Sequence, residues 1–127
     1  KVHQHSATCA SSFTQYAGLA ALSGPQEPVV QMVNAYRQRR DIIVAGLNSL
    51  PGVSCHLPEG AFYAFPDISG TGMSSTAFAE RLLDEAQVAV TPGVAFGEGG
   101  EGHVRLSFAN ATQLVERAVA RMQKAIQ

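Results

Sequence analysis

The segment His103-Val104-Arg105-Leu106-Ser107-Phe108 alternates strictly, which puts Val104, Leu106 and Phe108 on one face of a strand and His103, Arg105 and Ser107 on the other. The apolar set seeks a core, so Arg105 projects away from it, directly after a glycine-rich stretch. A guanidinium so placed can grip a carboxylate through two parallel hydrogen bonds, which a lysine cannot do. By spacing alone, a solvated charge or a structural ion pair is the commoner role. Other combinations carry less. Cys55-His56 offers a nucleophile and a base, but neighbours on an alternating strand point to opposite faces, and Cys55 reads as a small buried residue. His3, His5 and Cys9 are metal donors without a fourth ligand, so no metal is expected. Residues 97–102 match G-x-G-x-x-G, yet a strand follows where a phosphate-binding loop opens a helix, and Glu98 and Glu101 repel phosphate. Phe62 and Tyr63 are expected in the core.

The elements that must carry Arg105 follow from periodicity. Residues 1–10 show no helical stripe, and residues 14–22 read as a short helix of small residues stopped by Ser23-Gly24-Pro25. Val29, Val33, Tyr36, Ile43, Leu47 and Leu50 then mark the inner side of a long helix ended by Pro51-Gly52. Residues 53–57 and 61–65 predict two adjacent strands, the second ended by Pro66. Ser74 or Ser75 caps a helix with Phe78, Leu82, Leu83 and Ala86 inward. A buried strand over 88–91 precedes a flexible, functional-loop candidate over 92–102. Asn110 with Gln113 resembles a capping box for a last helix that buries Leu114, Val115, Ala118, Val119, Met122 and Ile126. The order α-α-β-β-α-β-β-α predicts an α/β fold of the α+β-like kind, a small sheet packed with helices.

The chain has 127 residues, 46% hydrophobic and 15% charged, which suits one ordinary domain able to build a core without disulfides. Nine Lys plus Arg against ten Asp plus Glu leave a formal charge of -1, so no net basic field draws in nucleic acid. No apolar run approaches the roughly 20 residues of a membrane span, and the first residues lack the apolar stretch of a signal peptide; the expected location is cytoplasmic.

Three stretches in order carry a resemblance: residues 60–68 (Gly60-Ala61-Phe62-Tyr63-Ala64-Phe65-Pro66-Asp67-Ile68), residues 88–97 with Thr91-Pro92-Gly93, and residues 102–109 around Arg105. With residues 4–15, they are similar to the C-terminal, small-domain part of pyridoxal-phosphate-dependent aminotransferases of the aspartate aminotransferase superfamily, fold type I, class I/II. The resemblance runs over essentially the whole chain. It implies that Arg105 binds the α-carboxylate of an amino-acid or oxo-acid substrate and that Phe62 is an aromatic at the substrate entrance. It places Ser6 and Ser11 where the family chain crosses the dimer interface towards the partner's active site. Ser6 falls where a dicarboxylate-specific subgroup carries arginine.

The same resemblance implies pyridoxal 5'-phosphate in the parent enzyme, held as a Schiff base by a lysine. Neither Lys1 nor Lys124 lies in the family's lysine motif, so this chain is expected to carry no catalytic lysine and no bound cofactor, and to be inactive alone. Residues 1–27 are then a segment from the large-domain and dimer-interface side, and 28–127 the small domain of a homodimeric aminotransferase whose large domain lies upstream. Exposed Phe13, Tyr16, Leu19 and Leu22 would make the isolated chain self-associate. The alternative reading is a self-contained amino-acid-binding or protein-interaction α/β module without catalysis.

Overall fold

The alternation around Arg105 produces β3 (Val104–Ser107), the central strand of a three-stranded sheet of order β1-β3-β2. The structure is a computed structural model that describes residues 2–127. β1 (Tyr63–Ala64) runs antiparallel along one side of β3, with Tyr63 opposite Ser107 and Ala64 opposite Leu106. β2 (Thr91–Pro92) runs antiparallel along the other, with Thr91 opposite Arg105. A further bridge joins Asp67 to His103 in the same register, so Phe65 falls level with Arg105.

Packing separates a unit reaching Val33 from a second unit, Asn34–Gln127. The first holds α1 (Val2–Ser6), α2 (Ser12–Ser23) and the start of α3 (Glu27–Asn48). The helical turn at Val2–Ser6 was not foreseen from the polar composition there. None of the described residues of this unit is buried, and Val29 and Val33, expected on the inner stripe of α3, are exposed together with Phe13, Tyr16, Leu19 and Leu22.

The second unit holds the core. One cluster joins Ile43 and Leu47 of α3, Phe78 and Leu82 of α4 (Ser75–Ala86), Val115 and Met122 of α5 (Thr112–Ala125), and Ala64, Val104, Leu106 and Phe108 of the sheet side. Each large side chain so removed from water contributes roughly 1.5–3 kcal/mol before entropy is charged against it. The helices thus cover the Val104/Leu106 face, and alternation leaves Arg105 on the other face of β3. α3 and α5 approach closely at Gly46, where a Cβ would run into the Val119 side chain.

Several expected details differ. Residues 53–57 form no strand beside 61–65; Ser54 makes one bridge, to Asp67. The reason lies in Asn48, whose side chain donates to the Cys55 carbonyl (3.0 Å) and accepts from its N–H (2.8 Å), standing in for a neighbouring strand. The strand expected over 88–91 is shorter and later, at Thr91–Pro92. Ser74 caps α4 by accepting from the Ala77 N–H at 3.2 Å, as expected, but Leu83 of α4 and Leu114 of α5 are exposed. α5 starts after Ala111 without a side-chain cap, so Asn110 makes no capping box. The segment expected to be a flexible loop contains two short 3-10 turns, Gly93–Phe96 and Glu98–Gly100.

Candidate functional site

Arg105 is half-buried on the open face of β3. Its guanidinium carbon lies over two aromatic rings, 4.5 Å from the centroid of Tyr63 and 4.6 Å from that of Phe96. Among the described residues the ion pairs are Arg40 with Asp41 and Arg81 with Glu85, and none of their carboxylates pairs with Arg105. A guanidinium carries its donors in its plane. Beside two rings and with no acid of the described residues paired to it, the guanidinium can still offer donors to a flat anion such as a carboxylate.

The rings extend into a continuous aromatic array. Phe62 lies 4.5 Å from Tyr63 and 6.2 Å from Tyr36 of α3, centroid to centroid, and Phe65 meets Phe96 edge-on at 6.0 Å and stacks on His103 at 5.1 Å. Phe62 and Tyr63, expected in the core, are 40% and 37% exposed. The buried residue of this stretch is Ala64, which joins the core cluster. Ala61, with a left-handed φ of 60°, turns the chain just before Phe62.

The turn that carries Phe96 is fastened at both ends. Gly93 and Gly100 approach so closely that a Cβ on either would collide with the other's carbonyl oxygen, and the Gly93 N–H donates to the His103 carbonyl at 2.8 Å. Glu101 spans to the first turn of α4, accepting from the Ser75 N–H and hydroxyl, both at 2.7 Å, while the Ser75 Oγ accepts from the Val94 N–H at 3.4 Å. These bonds, the Ser75 hydroxyl first, hold the Glu101 carboxyl below its ordinary range. Ser69, hydroxyl then backbone N–H, does the same for Asp67, with a smaller contribution from the nearby His103.

Of the four residues singled out beforehand, Arg105 lies on the open face, and Phe62 neighbours its partner Tyr63 but falls level with buried Phe108, whose N–H donates to the Phe62 carbonyl at 3.0 Å, and meets Tyr36 of α3. Ser6 and Ser11 belong to the other unit. Ser6 is exposed at the end of α1, its hydroxyl donating to the Val2 carbonyl at 3.3 Å, and Ser11 sits just before α2 with its hydroxyl 2.7 Å from that of Thr14. Tyr63 as a guanidinium partner, Phe96 and the Glu101–Ser75 latch were missed; the one available signal was Phe62-Tyr63-Ala64-Phe65, where a lone small residue between aromatics marks the inward position.

Other chemistry finds no footing. Burial pushes the Cys55 thiol up, only partly offset by a backbone hydrogen bond with Phe65. Among the described residues no group of three or more His, Cys, Asp and Glu could hold a metal, and no helix is long and apolar enough to cross a membrane. The one described lysine, Lys124, is exposed on α5, a helix packed on the opposite side of the sheet from Arg105.

Comparison with known proteins bears on the whole chain. The profile of the family described as aminotransferase class I and II matches residues 1–122. An aspartate aminotransferase of Musicola paradisiaca is 48% identical over 99% of this chain and 32% of its own length. An aromatic-amino-acid aminotransferase of Thermococcus litoralis is 41% identical over 99% of the chain and 33% of its own. The crystal structure of an aromatic aminotransferase from Pyrococcus horikoshii superimposes with a TM-score of 0.87 at 43% identity, covering 95% of this chain and 33% of that one. The chain therefore spans about a third of the length of the relatives it matches.

Proposed function

The chain belongs to the class I and II aminotransferases, and from that premise we propose that it is the small-domain portion of an enzyme moving an amino group between an L-amino acid and a 2-oxo acid. Arg105 binds the α-carboxylate shared by both substrates, and Phe62 lines their entrance. The observation that carries this reading is an arginine on the open sheet face with no acid of its own chain among the described residues. An unspent planar fork suits the one group that every amino and oxo acid presents.

The described residues do not fit pyridoxal phosphate by themselves, since Lys124, the one lysine among them, lies away from the Arg105 face. The proposal assigns the cofactor and its lysine to a domain outside residues 1–127, and Ser6 and Ser11 to the contact with that domain or with a second subunit. The isolated chain is accordingly inactive. What this chain contributes is binding and orientation, holding the substrate acid so that its amino or oxo carbon faces the missing half.

Arg105→Ala in the full-length protein tests this. KM for both amino and oxo acid should rise about 10- to 100-fold, the loss of a charge-assisted bidentate contact, and Arg105→Lys should recover only part of it. Unchanged KM in Arg105→Ala overturns the assignment. Amino-acid binding by residues 1–127 alone, abolished in Arg105→Ala, would instead support the self-contained binding module.

A further inference from the structure

We infer that Tyr63 and Phe96 are positioning residues for Arg105 and that Glu101 acts on the same guanidinium through Phe96. This inference rests on the reading of Arg105 as the carboxylate grip. Arginine side chains have many rotamers, and a freely rotating fork must be ordered each time a ligand binds. An acidic neighbour would order it but would also occupy the donors that the ligand needs. Aromatic rings do the first without the second: they attract the cation through their faces and bring no carboxylate to occupy its N–H groups, the Tyr63 hydroxyl being the one neutral acceptor they carry. Arg105 has two such rings, at 4.5 and 4.6 Å, and no carboxylate of the described residues paired with it.

The two rings come from different flanks of β3. Tyr63 is fixed by strand register, opposite Ser107 on β1. Phe96 ends the Gly93–Phe96 turn, and its place depends on the fastening of that segment. Glu101 supplies one fastening by holding both the N–H and hydroxyl of Ser75, a residue with 0% exposure, and the same hydroxyl accepts from Val94, two residues before Phe96. Phe65, level with Arg105 on the neighbouring strand side, meets Phe96 edge-on. Glu101 thus reaches the guanidinium indirectly, through Ser75, Val94 and the turn that ends in Phe96.

The test uses the full-length protein and steady-state kinetics, with thermal unfolding recorded for every variant. Phe96→Leu and Tyr63→Leu should each raise KM for the amino acid about 2- to 5-fold, the size of a lost cation–π contact, while kcat falls less. Phe96→Tyr keeps the ring and should restore the parent KM. Glu101→Gln should shift KM in the same direction as Phe96→Leu, and the double variant should be no worse than Phe96→Leu alone, as expected when one residue acts through the other. If Arg105→Ala leaves KM unchanged, the carboxylate reading fails and this inference with it. If Arg105→Ala raises KM while the ring variants do not, or if the Glu101 and Phe96 effects multiply, the positioning inference alone is overturned. Should Phe96→Leu fail to fold, Tyr63→Leu with Glu101→Gln still decides the question.

Discussion

Two cysteines in this chain occupy opposite chemical settings. Cys9 is exposed, whereas Cys55 is buried, its thiol pushed up by desolvation and its Sγ donating to the His56 carbonyl at 3.4 Å. A thiolate is the reacting species, so Cys9 should react with a disulfide reagent about tenfold or more faster than Cys55 at neutral pH. Mass mapping of a partly labelled sample measures this, and comparable labelling of both would contradict the burial of Cys55. Burial of this residue was legible from its place in an alternating segment, as was the outward direction of Arg105. Its ring partners were not. Phe96 lies nine residues before Arg105 across a glycine-rich segment, and nothing in local periodicity reports a contact made by folding that segment back.

At the level of elements, the segment between β2 and β3 depends on a charge. Glu101 has its folded-state pKa lowered by Ser75, so the latch is fully present above the ordinary glutamate value of 4.5 and is lost as pH falls through the lower folded-state value. The expected outcome is a gap in Tm between the parent and Glu101→Gln that is constant at neutral pH and shrinks as pH falls below about 4.5. A gap independent of pH down to 3 or so would show that the carboxylate does not tie the segment to α4. Elements with side-chain periodicity, such as β3, α4 and α5, were readable from the sequence. The stretch 53–57 was not, because alternation reports which face is buried and is silent on whether a strand or an Asn48 side chain satisfies the backbone. The turns at 93–100 escaped for the opposite reason, since glycines carry no pattern at all.

Across the whole molecule, burial is concentrated in one unit. α4 and α5 contribute to the core, while α1 and α2 bury no residue. A helix of 12 residues without tertiary support is marginal in water. Hydrogen exchange on dilute chain should therefore find α2 amides nearly unprotected and those of α4 and α5 slow. Raising the concentration should protect α2 as Phe13, Tyr16, Leu19 and Leu22 find apolar company. Protection of α2 that is independent of concentration would argue against that self-association. The sheet has a different consequence for crowded solutions. Its flanking strands are two residues each, Tyr63–Ala64 and Thr91–Pro92, and one of them ends in a proline that has no N–H to offer. A foreign strand gains almost no ladder by docking there, so any precipitate of this chain should be amorphous, driven by helical surfaces, and should lack the cross-β order of fibrils.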